Sequence, residues 1–256
     1  MSNNDMCLEA LNGRYSEDRL IITDDVDINC KWTLQSILAW MQELGDRHSR
    51  ILGYDFETLR AKNICWVILR YHIKFISYPR LYDVVKSSSW PEPMRLGIYP
   101  RMFLLEDESR TAKIRASSMW SLIDLDERAM VNPAHLGLPV YPVRKIQNFD
   151  DLNPLDKIVI PDTEGEIIKY LPVYSDFDMN AHVNNTKYLQ WFDNLLSLEE
   201  HGKYEVRDLL LHYNLEVLPD VELELKLVRA KDKIYFAVDS EAGSHFKMLA
   251  LIDRHL

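Results

Sequence analysis

The sequence predicts an α+β fold built twice, each copy one long helix wrapped by an antiparallel β-sheet. Three observations predict it. Residues 25–40 (DVDINCKWTLQSILAW) recur 151 positions later as residues 176–191 (DFDMNAHVNNTKYLQW). Asp25 falls on Asp176, Asp27 on Asp178, Asn29 on Asn180, Leu38 on Leu189 and Trp40 on Trp191. So long a period points to a duplicated domain rather than a stacked array. Each copy then runs into apolar residues at helical spacing, and each helix is followed by several β-rich runs.

In the first copy Leu34, Ile37, Leu38, Met41 and Leu44 mark the helix, with Thr33 as its cap and Gly53 as its stop. In the second, Tyr188, Trp191, Phe192, Leu195 and Leu196 mark it, with Asn184 or Asn185 as cap and Gly202 after it. Strands are expected near 65–78, 81–90, 97–106 and 111–125. In the second half they are expected near 205–218, 220–230, 232–240 and 244–254. Segment 139–157 carries three prolines and little periodicity, so it reads as the connection. The expected organisation is a tail at 1–17, a first domain at 18–138, the connection, and a second domain at 158–256.

A hydrophobic content of 47% suits a packed core, and no run approaches the ~18–20 apolar residues of a membrane span. The first residues have neither a basic-then-apolar leader nor transit-peptide composition, so a soluble cytoplasmic protein is expected. A net charge of −10 argues against generic nucleic-acid binding. Cys7, Cys30 and Cys65 are odd in number and lack metal spacing, which suits reduced thiols. Neither a metal nor a cofactor is expected.

The two copies differ at one chemically decisive place. His182 stands where the first copy has Lys31. An imidazole exchanges protons near neutral pH, whereas an exposed lysine stays charged. Alternation by two would put Asp178, Asn180 and His182 on one side of an extended stretch, ahead of a helix start with outward N–H groups. A plainer reading leaves Asp178 and Asn180 bracing a turn, as their counterparts Asp27 and Asn29 would.

The segment SDFDMNAHVNNTKYLQW resembles the signature of the acyl-acyl carrier protein thioesterases, whose plant members carry close variants of DxDxNxHVNNxKYxxW. MQELGDRHSRILGY, WVILRYHIKFISYPR and RASSMWSLIDL are similar to segments of bacterial members. The resemblance implies a tandem hotdog fold and hydrolysis of fatty acyl-acyl carrier protein, which releases free fatty acid and terminates elongation. It implies a partner, an acyl carrier protein with a phosphopantetheine-linked acyl chain. It places the family's catalytic Asp, Asn and His on Asp178, Asn180 and His182.

The family's acidic strand pattern, similar to EYRREC, falls on HYNLEV and so on Glu216. Val217 stands where plant members have cysteine, and the second half has no cysteine at all. Under this resemblance Glu216, or alternatively Asp178, activates water. His182 orients or relays the proton, and Asn180 positions water or the carbonyl.

The first half is expected to supply the acyl slot, with Ile37, Met41, Trp66, Ile68 and Trp90 as lining. Arg229, Lys231 and Lys233 form an expected docking patch for an acidic carrier. A hotdog acyl-CoA thioesterase and a non-catalytic acyl- or carrier-binding protein are the alternatives. A monomer or a homodimer is compatible with the tandem arrangement, and no membrane span is expected.

Overall fold

The computed structural model describes residues 11, 13–131, 136–138 and 149–254. Cys7 and residues 139–148 of the expected connection lie outside the described residues. The elements are β1 Tyr15–Leu20, α1 Leu34–Ile51, α2 Phe56–Arg60, β2 Ile64–Phe75, β3 Val84–Pro91, β4 Ile98–Glu106 and β5 Ala112–Asp124. After the connection come β6 Glu166–Tyr170, α3 Lys187–Leu195, α4 Leu198–Lys203, β7 Tyr204–Tyr213, β8 Leu223–Arg229, β9 Lys233–Ser240 and β10 Gly243–Arg254. Strand β1 begins inside the stretch read as a tail. Among the described residues, no helix is long and apolar enough to cross a membrane.

The strands form one sheet in the order β1-β3-β4-β5-β2-β7-β10-β9-β8-β6. From either edge to the seam the connectivity is the same, so the repeat in the sequence becomes a pseudo-twofold in the sheet. Antiparallel pairing of β2 with β7, from Arg70↔His212 to Lys74↔Asp208, joins the halves. One contiguous core takes Ile37, Leu38, Met41 and Leu44 from α1 and Leu189 and Phe192 from α3. Phe103 and Phe236 enter it from the two halves of the sheet. The fold is thus the expected double hotdog.

Helix α1 follows its pattern. Thr33 Oγ1 accepts the Ser36 N–H at 3.2 Å, and Gly53 at φ +79° ends the helical run. The second-half helix departs from expectation. Thr186 is its N-cap, and Asn184 Oδ1 instead accepts both the Thr186 N–H (2.9 Å) and its hydroxyl (2.8 Å). The helix also breaks at Leu196. There Ser197 and Glu200 form a reciprocal capping box that starts α4, which contains Gly202. His201 Nε2 closes the gap against the Asp193 carbonyl at 2.9 Å.

Trp90 is another departure. On β3, Val85 enters the core, Ser87 Oγ accepts the Trp40 indole N–H at 2.7 Å, and Pro91 faces the helix side as well. Trp90, of opposite parity, turns to the outer face and packs with Phe149 and Leu152. Aromatic burial there serves the end of the connection, not an acyl slot.

Candidate active site

The signature segment is a braced turn. Asp176 Oδ2 accepts the Val173 N–H (2.9 Å) and the Tyr170 hydroxyl (2.7 Å), and its carbonyl accepts the Asn184 N–H at 2.8 Å. Asp178 Oδ1 accepts the backbone N–H of Asn180 at 2.8 Å and of His182 at 3.4 Å. The Asp178 N–H returns to the His182 carbonyl at 2.8 Å. Ala181 sits at φ +58°. The stretch is therefore not extended, and Asp178, Asn180 and His182 are not aligned by strand alternation. Short polar side chains that bond nearby N–H groups favour such turns over strand.

Glu216 approaches from the second half of the sheet. It lies three residues past the end of β7 rather than on the strand. The Val183 N–H donates to the Val217 carbonyl at 3.0 Å, which pins the chain beside the turn. His182 Nε2 then stands 3.4 Å from Glu216 Oε2. Burial pushes the His182 imidazole below its ordinary value, the nearby Asp178 carboxylate opposes that, and the Arg128 cation adds to it.

Sequence reasoning missed Arg128. Its guanidinium pairs with the same Glu216 Oε2 that faces His182. It comes from the first half, in the turn after β5. Asp124 Oδ1 there accepts the N–H groups of Asp126 and Glu127, both at 2.9 Å, and the Arg128 N–H donates to the Asp124 carbonyl at 3.0 Å. An Asp-rich turn was readable in the sequence, but nothing in the spacing linked it to the other half.

A cavity of about 790 Å³ is lined by Asp178, Asn180, His182, Glu216 and Arg128, with Cys65, Tyr188 and Tyr213 among its walls. A second space of about 260 Å³ shares Trp66, Met179, Asn180 and Asn185 with it and lies along α1. Of the expected slot residues, Trp66 borders both spaces and Ile68 the larger one, whereas Ile37 and Met41 are wholly inside the core. The helix-start donors are partly engaged. Thr186 N–H bonds Asn184 Oδ1, and Lys187 N–H bonds the Asn184 carbonyl at 2.9 Å.

The expected docking patch loses its arginine. Arg229 Nε donates to Glu200 at 2.5 Å, Nη1 to Glu166 at 3.0 Å and Nη2 to the Leu195 carbonyl at 3.1 Å. Lys231 lies in the β8–β9 turn and Lys233 opens β9.

The family model for the acyl-ACP thioesterase N-terminal domain matches residues 13–134, and that for the C-terminal domain matches 160–248. The chloroplastic oleoyl-acyl carrier protein thioesterase of Coriandrum sativum is 27% identical over 223 residues, covering 80% of this chain and 60% of that protein. The chloroplastic palmitoyl-acyl carrier protein thioesterase of Gossypium hirsutum is 26% identical over 242 residues, covering 86% and 58%. The chain thus spans about three-fifths of the length of these curated relatives.

Among solved structures, an acyl-ACP thioesterase from Bacteroides thetaiotaomicron superposes with a TM-score of 0.83 at 18% identity, over 99% of this chain and 100% of that one. The 12:0-ACP thioesterase from Umbellularia californica gives 0.77 at 18% identity, over 94% and 98%. At this identity these two likenesses speak for the fold.

Proposed function

Because the chain belongs to the acyl-ACP thioesterase family, we propose that it hydrolyses the thioester between a fatty acyl chain and acyl carrier protein, releasing the free acid. The observation that carries this reading is the 3.4 Å approach of His182 to Glu216 inside a cavity that shares Trp66, Met179, Asn180 and Asn185 with the space along α1.

Glu216 is the general base. It takes a proton from water as the water oxygen attacks the thioester carbonyl carbon. The negative charge that develops on the carbonyl oxygen needs donors, and Asn180, on the wall shared by both spaces, supplies a side-chain amide. Collapse breaks the C–S bond, and the proton held by Glu216 passes through His182 to the departing thiolate. Arg128 pairs with Glu216 and fixes its rotamer from the opposite half. Asp178 acts through the backbone, because its Oδ1 already serves two N–H groups.

In this reading residues 18–138 supply the acyl slot and residues 158–256 the catalytic turn. The active cavity nevertheless lies across the seam, with Arg128, Cys65 and Trp66 on its first-half side. The test is thiol release from a panel of acyl-acyl carrier protein thioesters of varied length, set beside matched acyl-CoA thioesters. Faster turnover on the CoA series would move the carrier assignment to CoA. No turnover on either would remove the hydrolase reading.

A further inference from the structure

An unsubstituted alkyl chain is best matched by an apolar wall beyond its reactive end. The space along α1 offers something else. Gln42, Gly45, Asp46 and Ser49 all line it. They stand at i, i+3, i+4 and i+7, on one helical face. That face runs roughly 10 Å along the helix. Gln42 Nε2 is buried and meets no acceptor among the described residues.

Opposite the stripe lies Arg101, buried to 6% exposure. Its Nη1 donates to Ser89 Oγ at 2.8 Å and lies 3.1 Å from His48 Nδ1, and its Nη2 donates to Ser49 Oγ at 3.3 Å. Trp66, Tyr99 and Trp120 complete the wall. The space is therefore lined by aromatic rings and by hydrogen-bonding groups.

We propose that this slot is a subsite for acyl chains that carry an oxygen substituent, a hydroxyl or carbonyl, away from the thioester, with the Gln42 amide as the donor that recognises it. The inference rests on the thioesterase reading for the placing of the acyl chain. A plain methylene against Gln42 leaves a buried donor unpaired, whereas a hydroxyl or carbonyl oxygen accepts from it. Sites built to bond a substrate hydroxyl reject the analogue that lacks it far more strongly than apolar pockets reject an added methylene. The aromatic wall accommodates the hydrocarbon on either side of the substituent.

Two measurements on the full chain decide it. The first is binding of free fatty acids, plain or hydroxylated at mid-chain or at the far end and matched in length, followed by tryptophan fluorescence, since Trp66 and Trp120 line the slot. The second is turnover of the same chains on acyl carrier protein. The expected result is about tenfold or greater preference for one hydroxylated isomer in both. Gln42→Leu, a good helix former of similar size, removes the preference by weakening the hydroxylated chain while keeping the plain one. Ser49→Ala gives a second, smaller loss of preference.

Equal affinity for plain and hydroxylated chains, or a preference that survives Gln42→Leu with the fold intact, overturns the inference. Plain chains cleaved without any hydroxyl preference would sink it and leave the thioesterase reading standing. A hydroxyl preference in binding with no turnover on any carrier would do the reverse.

Discussion

The two copies of the signature turn are close to identical in backbone and opposite in chemistry. In the first half Asp27 Oδ1 accepts the N–H groups of Asn29 (2.8 Å) and Lys31 (3.0 Å), and Cys30 sits at φ +58° as Ala181 does. The bridge Val26↔Trp32 matches Phe177↔Val183. The Trp32 N–H reaches the Pro79 carbonyl at 3.0 Å, as the Val183 N–H reaches that of Val217. Tyr78 therefore occupies the place of Glu216. Lys31 Nζ lies 5.7 Å from the Tyr78 ring centroid and 2.5 Å from Glu205 Oε2, where the second half sets an imidazole against a carboxylate. The aspartates are the shared scaffold. The chemistry lies in the residues that differ.

The most severe way to break this comparison is to remove the groups unique to one copy. Glu216→Gln and His182→Ala should each lower kcat/KM by about 10²- to 10⁴-fold. Lys31→Ala and Tyr78→Phe should stay within about threefold of the parent, a margin set by the modest worth of such contacts. Steady-state thiol release, with circular dichroism to check folding, reads all four. Comparable losses at Lys31 and His182 would show that the active half is misassigned.

A second experiment separates scaffold from base. Asp178→Ala and Asp27→Ala each delete an acceptor of two N–H groups, so each should destabilise by about 1–3 kcal/mol. Asp178→Asn keeps an oxygen in the Oδ1 position and should keep turnover within about tenfold. If Asp178→Asn is inert while Glu216→Gln is not, the base is Asp178.

Much of this was legible because it is local or repeated. The fixed offset foretold a duplicated sheet, and helical spacing and Thr33 foretold α1. The break in the second helix was missed although its cause, Ser197 with Glu200, is a local signal, because the apolar pattern runs on through Leu196. Trp90 was misplaced because β3 is buried on both faces, so hydrophobicity alone does not say which face meets the helix. Arg128 was out of reach. Its partner lies in the other half, and only the antiparallel seam of β2 and β7 brings the two together.

Arg128 gives a subtler handle. Its cation helps keep the His182 imidazole neutral. Arg128→Gln removes that push, so the His182 value rises and the acid limb of the kcat/KM profile moves to higher pH. A loss at acid pH that shrinks toward pH 8 is expected, and Arg128→Lys should recover part of it. A uniform loss at every pH would mean that Arg128 only positions Glu216 and does not tune the imidazole.

The smallest expected effect lies in the other cleft. A cavity of about 270 Å³ there is lined by Lys31, Tyr78, Asp193, His201 and Glu205. Asp193 stands 151 positions after Gln42, so the first half has a neutral amide at the same helical position. Burial pushes the Asp193 carboxyl up to about 7, with His201 opposing this and Asp27 adding to it. The folded-state value lies above the unfolded one, so between about pH 4 and 7 the folded chain binds more protons than the unfolded chain. Stability is therefore fully present below the unfolded value and is lost as pH rises through about 7. Asp193→Asn does not titrate. It should leave Tm nearly unchanged near pH 4 and raise it above pH 7 by roughly 2–4 °C, the equivalent of about 1 kcal/mol for a chain of this size. Turnover should not change, since the residue borders the cleft that His182 and Glu216 do not line. Thermal melts of both proteins from pH 4 to 8.5 decide it. A Tm gain that is the same at every pH would show that Asp193 is ionised throughout and that burial does not govern its carboxyl.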